Sequence, residues 1–291
     1  PLALVEVNGK AELHEINLES GQARRLRDLP GGLTSLAAFL PLEAPSQLLF
    51  GLTATNSLVR FGPGGGDLAA GPVVTGLSSG EELVAIDFRP FNGLLYGLSR
   101  TSAGLGRLYT IDPLSGQTTV VPLAGPDLNL PGSVDIDFNP AADRLRVMAG
   151  TTNLRVNPDT GEVTKDGDLA FEDGDMHAGD APAIVAAAYT NSHGKPEATA
   201  MYDIDATIVA LIRQTAPNDG TLAAVGKLGI DAPGEAYAFD IQTTAEMQNT
   251  AWLVNGGMVY WIDLETGAAM DGAPIEGLTE EVRDVAVLPP M

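Results

Sequence analysis

The chain has 291 residues, 44% of them hydrophobic and 19% charged, which is enough apolar material for a large core. Sixteen Lys and Arg against 38 Asp and Glu give a formal net charge of −22, which disfavours nucleic acid and anionic lipid as partners. There is no cysteine, so disulfides, a thiolate nucleophile and cysteine-ligated metal are excluded, and the longest apolar runs, such as Ala183–Tyr189, fall far short of the roughly 20 residues of a transmembrane helix.

Thirty-four glycines and 20 prolines spread along the chain predict a turn-rich, all-β protein. In chain order, Leu2–Asn8, Glu12–Asn17 and Gln22–Leu29 read as three strands. Leu33–Leu40, Gln47–Leu52 and Ser57–Phe61 follow as a degenerate copy of a unit that is clearest further on. That unit is Val84–Pro90, Leu94–Ser99, Arg107–Asp112, a turn at Pro113–Gly116, and Gln117–Leu123. It returns as Val134–Pro140, Arg144–Ala149, Asn153–Asn157, the turn Pro158–Gly161 and Glu162–Leu169. Later copies are Ile184–Asn191 with Ala198–Ile204 and Thr207–Leu211, then Glu235–Ile241 with Thr250–Asn255 and Met258–Asp263. Val282–Pro289 supplies one isolated first strand. The last apolar residues of the third strands, Ile16, Phe61, Ile111, Val156, Leu211 and Ile262, recur at intervals of about 45 to 55 residues.

Units of this length with about four strands each are those of a propeller, whose ring leaves no unprotected strand edge. The reading is a single-domain six-bladed β-propeller, with blades at about 33–76, 80–124, 133–170, 183–229 and 235–277. Residues 281–291 pair with 1–30 to complete the last blade, so that the termini clasp the ring. Asn8-Gly9, Asn92-Gly93 and Asn255-Gly256 sit between strands as tight hairpin turns.

Alternate side chains of each first strand face the central channel. Aligning the copies puts Ala38, Asp87, Asp137, Ala188, Ala238 and Ala286 at one level, and Leu36, Ala85, Asp135, Ala186, Ala236 and Asp284 two residues earlier. Asp87, Asp135, Asp137 and Asp284 are therefore candidate oxygen ligands for a hard cation such as Ca²⁺; the competing reading is a hydrated channel whose aspartates bond to backbone N–H groups. A second candidate metal set, Asp173, Asp175, His177 and Asp180, lies in the acidic loop Glu172–Asp180, which lacks the ligand order of an EF-hand and also reads as a solvated loop. Gly76-Leu77-Ser78-Ser79-Gly80 matches a serine-nucleophile pattern in letters, but it precedes a strand with no helix after it and reads as a turn between blades. His14, His177 and His193 show no metal-site spacing, and Trp252 and Trp261 read as packing neighbours on successive strands.

Several of these segments, Gly51–Phe61, Leu83–Leu98, Arg107–Gln117, Val134–Val147, Asn153–Thr164, Ala186–Asn191, Met201–Asp205 and Pro217–Asp231, resemble the bacterial family known as domain of unknown function 4394. The resemblance implies a propeller-like repeat protein that is commonly exported, and it brings no catalytic residues. A first residue other than Met is consistent with a processed chain, so the expected location is extracellular, at the cell surface or in the periplasm. The expected function is a noncatalytic binding or surface-assembly module that uses its loop faces to contact a protein or glycan partner. The alternative is a divalent-metal-dependent hydrolase with its metal in the channel.

Overall fold

A computed structural model describes residues 49–289 apart from 126–127 and 232, together with the backbone of three strands nearer the N-terminus. The chain divides into two compact units, 1–45 and 46–291. In the first, β1 (Leu2–Val7), β2 (Lys10–Ile16) and β3 (Ala23–Asp28) form an antiparallel sheet in the order β1-β2-β3.

The second unit is a ring of antiparallel sheets. Its first blade contains β4 (Leu49–Thr53), β5 (Ser57–Gly62) and β6 (Gly65–Val73). The second is β7 (Glu81–Phe88), β8 (Leu95–Thr101), β9 (Leu105–Ile111) and β10 (Thr118–Val121), with the short β11 (Leu128–Asn129) added to β9. The third is β12 (Val134–Asn139), β13 (Arg144–Ala149), β14 (Thr152–Val156) and β15 (Val163–Lys165). After β16 (Ala170–Phe171), the fourth is β17 (Ile184–Tyr189), β18 (Met201–Asp205), β19 (Ala210–Ala216) and β20 (Thr221–Lys227). The fifth is β21 (Tyr237–Thr243), β22 (Asn249–Asn255), β23 (Met258–Ile262) and β24 (Ala269–Glu276). The final strand, β25 (Val282–Val287), pairs antiparallel with β4 and becomes the innermost strand of the first blade.

The expected shared blade is thus corrected in its partner. The C-terminal strand does clasp the ring, but onto β4, while β1–β3 form a sheet of their own. The cause is the apolar character of β4, which is buried along its whole length and needs a strand on its inner side. The strand expected there, 33–40, lies outside the described residues. The described residues of 46–291 accordingly form five blades of four main strands each, where six were expected. A second closure joins the outer rims, where β24 pairs parallel with β6.

The five inner strands stand side by side, β7 next to β12, β12 to β17, β17 to β21, β21 to β25 and β25 to β7. Five apolar clusters fill the five seams between blades: Phe50, Leu83 and Phe88 between the first and second; Tyr96, Phe138 and Val147 between the second and third; Met148, Tyr189 and Ile212 between the third and fourth. Leu211, Phe239 and Leu253 fill the fourth seam, and Phe61, Val254 and Val285 the fifth. Edge-to-face pairs, Phe50 on Phe88 at 5.1 Å and Tyr96 on Phe138 at 4.9 Å, cross two of these seams. Ion pairs add to them: buried Arg89 reaches Asp143 and Asp159 of the next blade, and buried Arg146 binds Asp166 and the Tyr189 hydroxyl.

The outer turns explain the repeated Asp/Asn-x-x-x-Gly pattern. Asp112 and Asn157 each accept a backbone N–H two residues on, and Gly116 and Gly161 follow at φ of 73°. A Cβ at either glycine would overlap a carbonyl oxygen of the preceding blade, that of Val73 or Pro122, so the turn needs glycine for conformation and for close approach.

Candidate functional site: the carboxylate-lined channel

The inner strands are buried on both faces, yet they carry five buried aspartates: Asp87 on β7, Asp135 and Asp137 on β12, Asp240 on β21 and Asp284 on β25. A buried carboxylate requires hydrogen-bond donors. Each finds one on the inner strand of the following blade. The Ile86 N–H donates to Asp284 at 2.6 Å and the Phe138 N–H to Asp87 at 2.7 Å. The Ala187 and Tyr189 N–H groups donate to Asp135 and Asp137, and the Val287 N–H to Asp240 at 2.6 Å. These bonds latch four of the five seams. At the remaining one, the fourth, between β17 and β21, the corresponding residues of β17 are Ala186 and Ala188, and the link moves to the segment after β17 and the facing ends of β21 and β22: the Ser192 N–H donates to Thr243, and Asn191 and Asn249 bond to each other.

Oxygen atoms of Asp87, Asp137 and Asp240 lie within 4.8 Å of one another. Asp87 and Asp137 were expected in the channel from their repeat positions. Asp240 was not, because the fifth copy was aligned two residues out of step, with Ala238 at the level that Asp240 occupies. The signal was present: Ala238-Phe239-Asp240 matches Ala85-Ile86-Asp87 and Asp135-Ile136-Asp137. Asp135 and Asp284, the other two expected residues, stand one level away on their strands and are not in this group of three.

Burial raises the pKa of all five aspartates. For Asp87 and Asp137 the charges of the neighbouring carboxylates add to it, and the donated N–H groups oppose it. Burial dominates at Asp240, whose pKa is raised to about 7 against the pull of the Val287 and Ile241 N–H groups. Asp135 and Asp284 are raised for the same first reason. Beside Asp87 and Asp240 is a cavity of about 10 Å³, the room of one water, that is also lined by Gln242, Thr243 and Val287. The Gln242 Oε1 is buried without a hydrogen-bond partner.

The acidic loop is built differently from a ligand set. Asp175 accepts the N–H groups of His177 and Ala224, while His177 Nδ1 lies 3.3 Å from Asp180 and its ring packs on Phe171. Asp173, Asp175, His177 and Asp180 do not bring three donor atoms within 4.8 Å of one another. Ser78 bonds to Tyr109 and Arg107 in an irregular segment before β7, consistent with a turn and not a nucleophile elbow. Trp252 and Trp261 face each other directly across β22 and β23, both half-buried.

A family model described as a domain of unknown function, DUF4394, matches residues 49–286. The chain belongs to this family. The match begins at β4 and ends within β25, so the DUF4394 region coincides with the ring. No curated protein matches by sequence. Among solved structures, the DUF4394 chain is similar to a putative gluconolactonase at 14% identity and a TM-score of 0.47, covering 84% of this chain and 78% of the other. It is also similar to TolB from Acinetobacter baumannii, at 12% identity and a TM-score of 0.44 over 99% and 82% of the two chains. A third similar structure is regucalcin, a calcium-binding protein from Agrobacterium tumefaciens, at 14% identity and a TM-score of 0.38 over 87% and 80%.

Proposed function

We propose that this DUF4394 protein is a noncatalytic binding or assembly module that works outside the cytoplasm or at the cell surface and meets a protein or glycan partner through its loop faces. One contrast carries the reading. The channel carboxylates are tied into blade-to-blade hydrogen bonds beside a cavity of about 10 Å³, whereas a depression of about 420 Å³ opens over the seam between the fifth and first blades. Ligand sites of proteins usually have about 300 Å³ or more, so a partner fits the loop face and not the channel. The purified protein is expected to hydrolyse neither lactones nor phosphoesters above background with Ca²⁺, Mg²⁺, Mn²⁺ or Zn²⁺ added. Turnover that needs a divalent ion and is lost in Asp137→Ala would overturn this reading.

A second reading concerns the channel itself. Three carboxylates from three blades, two of them (Asp87 and Asp240) on a cavity that Gln242 also lines, suit a hard cation such as Ca²⁺. Bound there, a cation would offset the repulsion among Asp87, Asp137 and Asp240 and tie three blades together, a role in stability more than in chemistry.

A further inference from the structure

The depression over the fifth seam lies between the β22–β23 hairpin and the segment that leads into β25. Val254, Ile275 and Val282 are its buried apolar lining, and Leu278 lies beside them. On one wall the hairpin carries Gly256 and Gly257, at φ of 58° and 76°, so no side chain rises from that turn into the opening. On the other stand Glu280 and Glu281, the only ionisable side chains of the lining among the described residues.

Both carboxylates are held in place. Glu280 accepts the Thr55 hydroxyl at 2.7 Å and its N–H at 3.3 Å; Glu281 accepts the Ala236 N–H at 3.0 Å. The Thr55 hydrogen bond also keeps the Glu280 pKa below its ordinary value, so the group is ionised at neutral pH. The nearest basic residue in sequence, Arg283, is committed elsewhere: its guanidinium donates to the carbonyl oxygens of Leu83 and Ala54 and lies 3.4 Å from Glu82. Among the described residues, the depression therefore combines an apolar floor with two oriented negative charges and no cation of its own.

We propose that this depression receives a lysine or arginine side chain from an exposed segment of a partner protein, with the aliphatic stem over Val254, Ile275 and Leu278 and the charged head between Glu280 and Glu281. This rests on the binding-module reading and names the site and the chemistry of its partner. A long basic side chain matches both halves of the lining, because its methylenes cover apolar surface while its head stays polar. The chain's charge of −22 adds long-range attraction for a basic segment. A volume of about 420 Å³ exceeds one side chain and leaves room for flanking residues of a polypeptide.

The test uses the full chain, labelled with ¹⁵N, and the acetylated, amidated pentapeptide Ala-Leu-Lys-Leu-Ala. The lysine peptide should shift the amide resonances of residues 254–257 and 278–282 saturably. Acetylating the lysine ε-amine should weaken binding by about tenfold, and the double variant Glu280→Gln/Glu281→Gln should do the same without changing the melting temperature. No shifts in this region, equal binding of the acetylated peptide, or equal binding of free butylamine would overturn the proposal, the last because it would mark a small-amine site. Hydrolytic turnover by the same preparation would instead remove the binding-module reading while leaving the peptide result intact, so the two failures are distinguishable.

Discussion

Asp203 offers a test of how burial and hydrogen bonding combine in this ring. It lies on β18 with its side chain wholly inaccessible, at the seam filled by Met148 and Ile212. Its hydrogen bonds come from Gln214, whose Nε2 donates to both carboxylate oxygens at 3.1 and 2.9 Å and also faces the Met148 sulfur. Burial raises the Asp203 pKa from 3.8 to about 7; Asp205 adds to the rise, while Gln214 and Arg146 oppose it. Because the folded pKa is the higher one, the native chain keeps a proton that the unfolded chain has released. Stability from this group is complete below pH 3.8, falls through the window up to about pH 7 and is gone above it, a loss of about 4 kcal/mol in all. The Gln214 Oε1 is buried with no donor. In Asp203→Asn the new carboxamide can accept from Gln214 Nε2 and donate to that oxygen, with no charge to bury. Guanidinium denaturation followed by tryptophan fluorescence should therefore give nearly equal stabilities for the two proteins at pH 4, and at pH 8 a variant more stable by up to about 4 kcal/mol. A variant less stable than its parent at pH 8, or two curves that run parallel from pH 4 to pH 8, would refute the reasoning.

The latches make a prediction of opposite sign. Asp284→Ala strands the Ile86 N–H and should lower stability by about 2 kcal/mol, and because burial raises the Asp284 pKa the loss should shrink as the pH rises and the variant also removes a buried charge; a loss that does not change with pH would count against the latch. If Ca²⁺ occupies the channel, metal-stripped protein should melt higher with Ca²⁺ than with chelator, by mass action, and Asp87→Asn/Asp137→Asn should abolish the difference; identical curves for the parent protein would exclude the cation reading. Removing residues 282–291 deletes the inner strand of the first blade and should abolish cooperative unfolding, as read by calorimetry; an unchanged transition would show that β4 does not need β25.

The repeat was legible because its signals are local. The apolar first strands, the Asp or Asn that opens each outer turn and the glycine that closes it are dictated by strand burial and by turn geometry, and these recur in the chain at Asp112–Gly116 and Asn157–Gly161. The all-β, propeller-like class follows from them, as does the presence of Asp87, Asp135, Asp137 and Asp284 on inner strands. Tertiary structure alone decided which strand closes the ring. Val282–Val287 can hydrogen-bond to any exposed edge, and its sequence does not say whether that edge is β1 or β4; the choice falls to β4, whose buried faces need cover. It also decided the site. A channel group depends on the register of every inner strand at once, and a slip of two residues keeps the alternation of inward and outward side chains while moving an aspartate from one level to another, which is how Asp240 escaped notice. Nor could sequence foresee the depression at Glu280 and Glu281, which exists only because a hairpin of the fifth blade and the lead-in to the last strand meet across the seam.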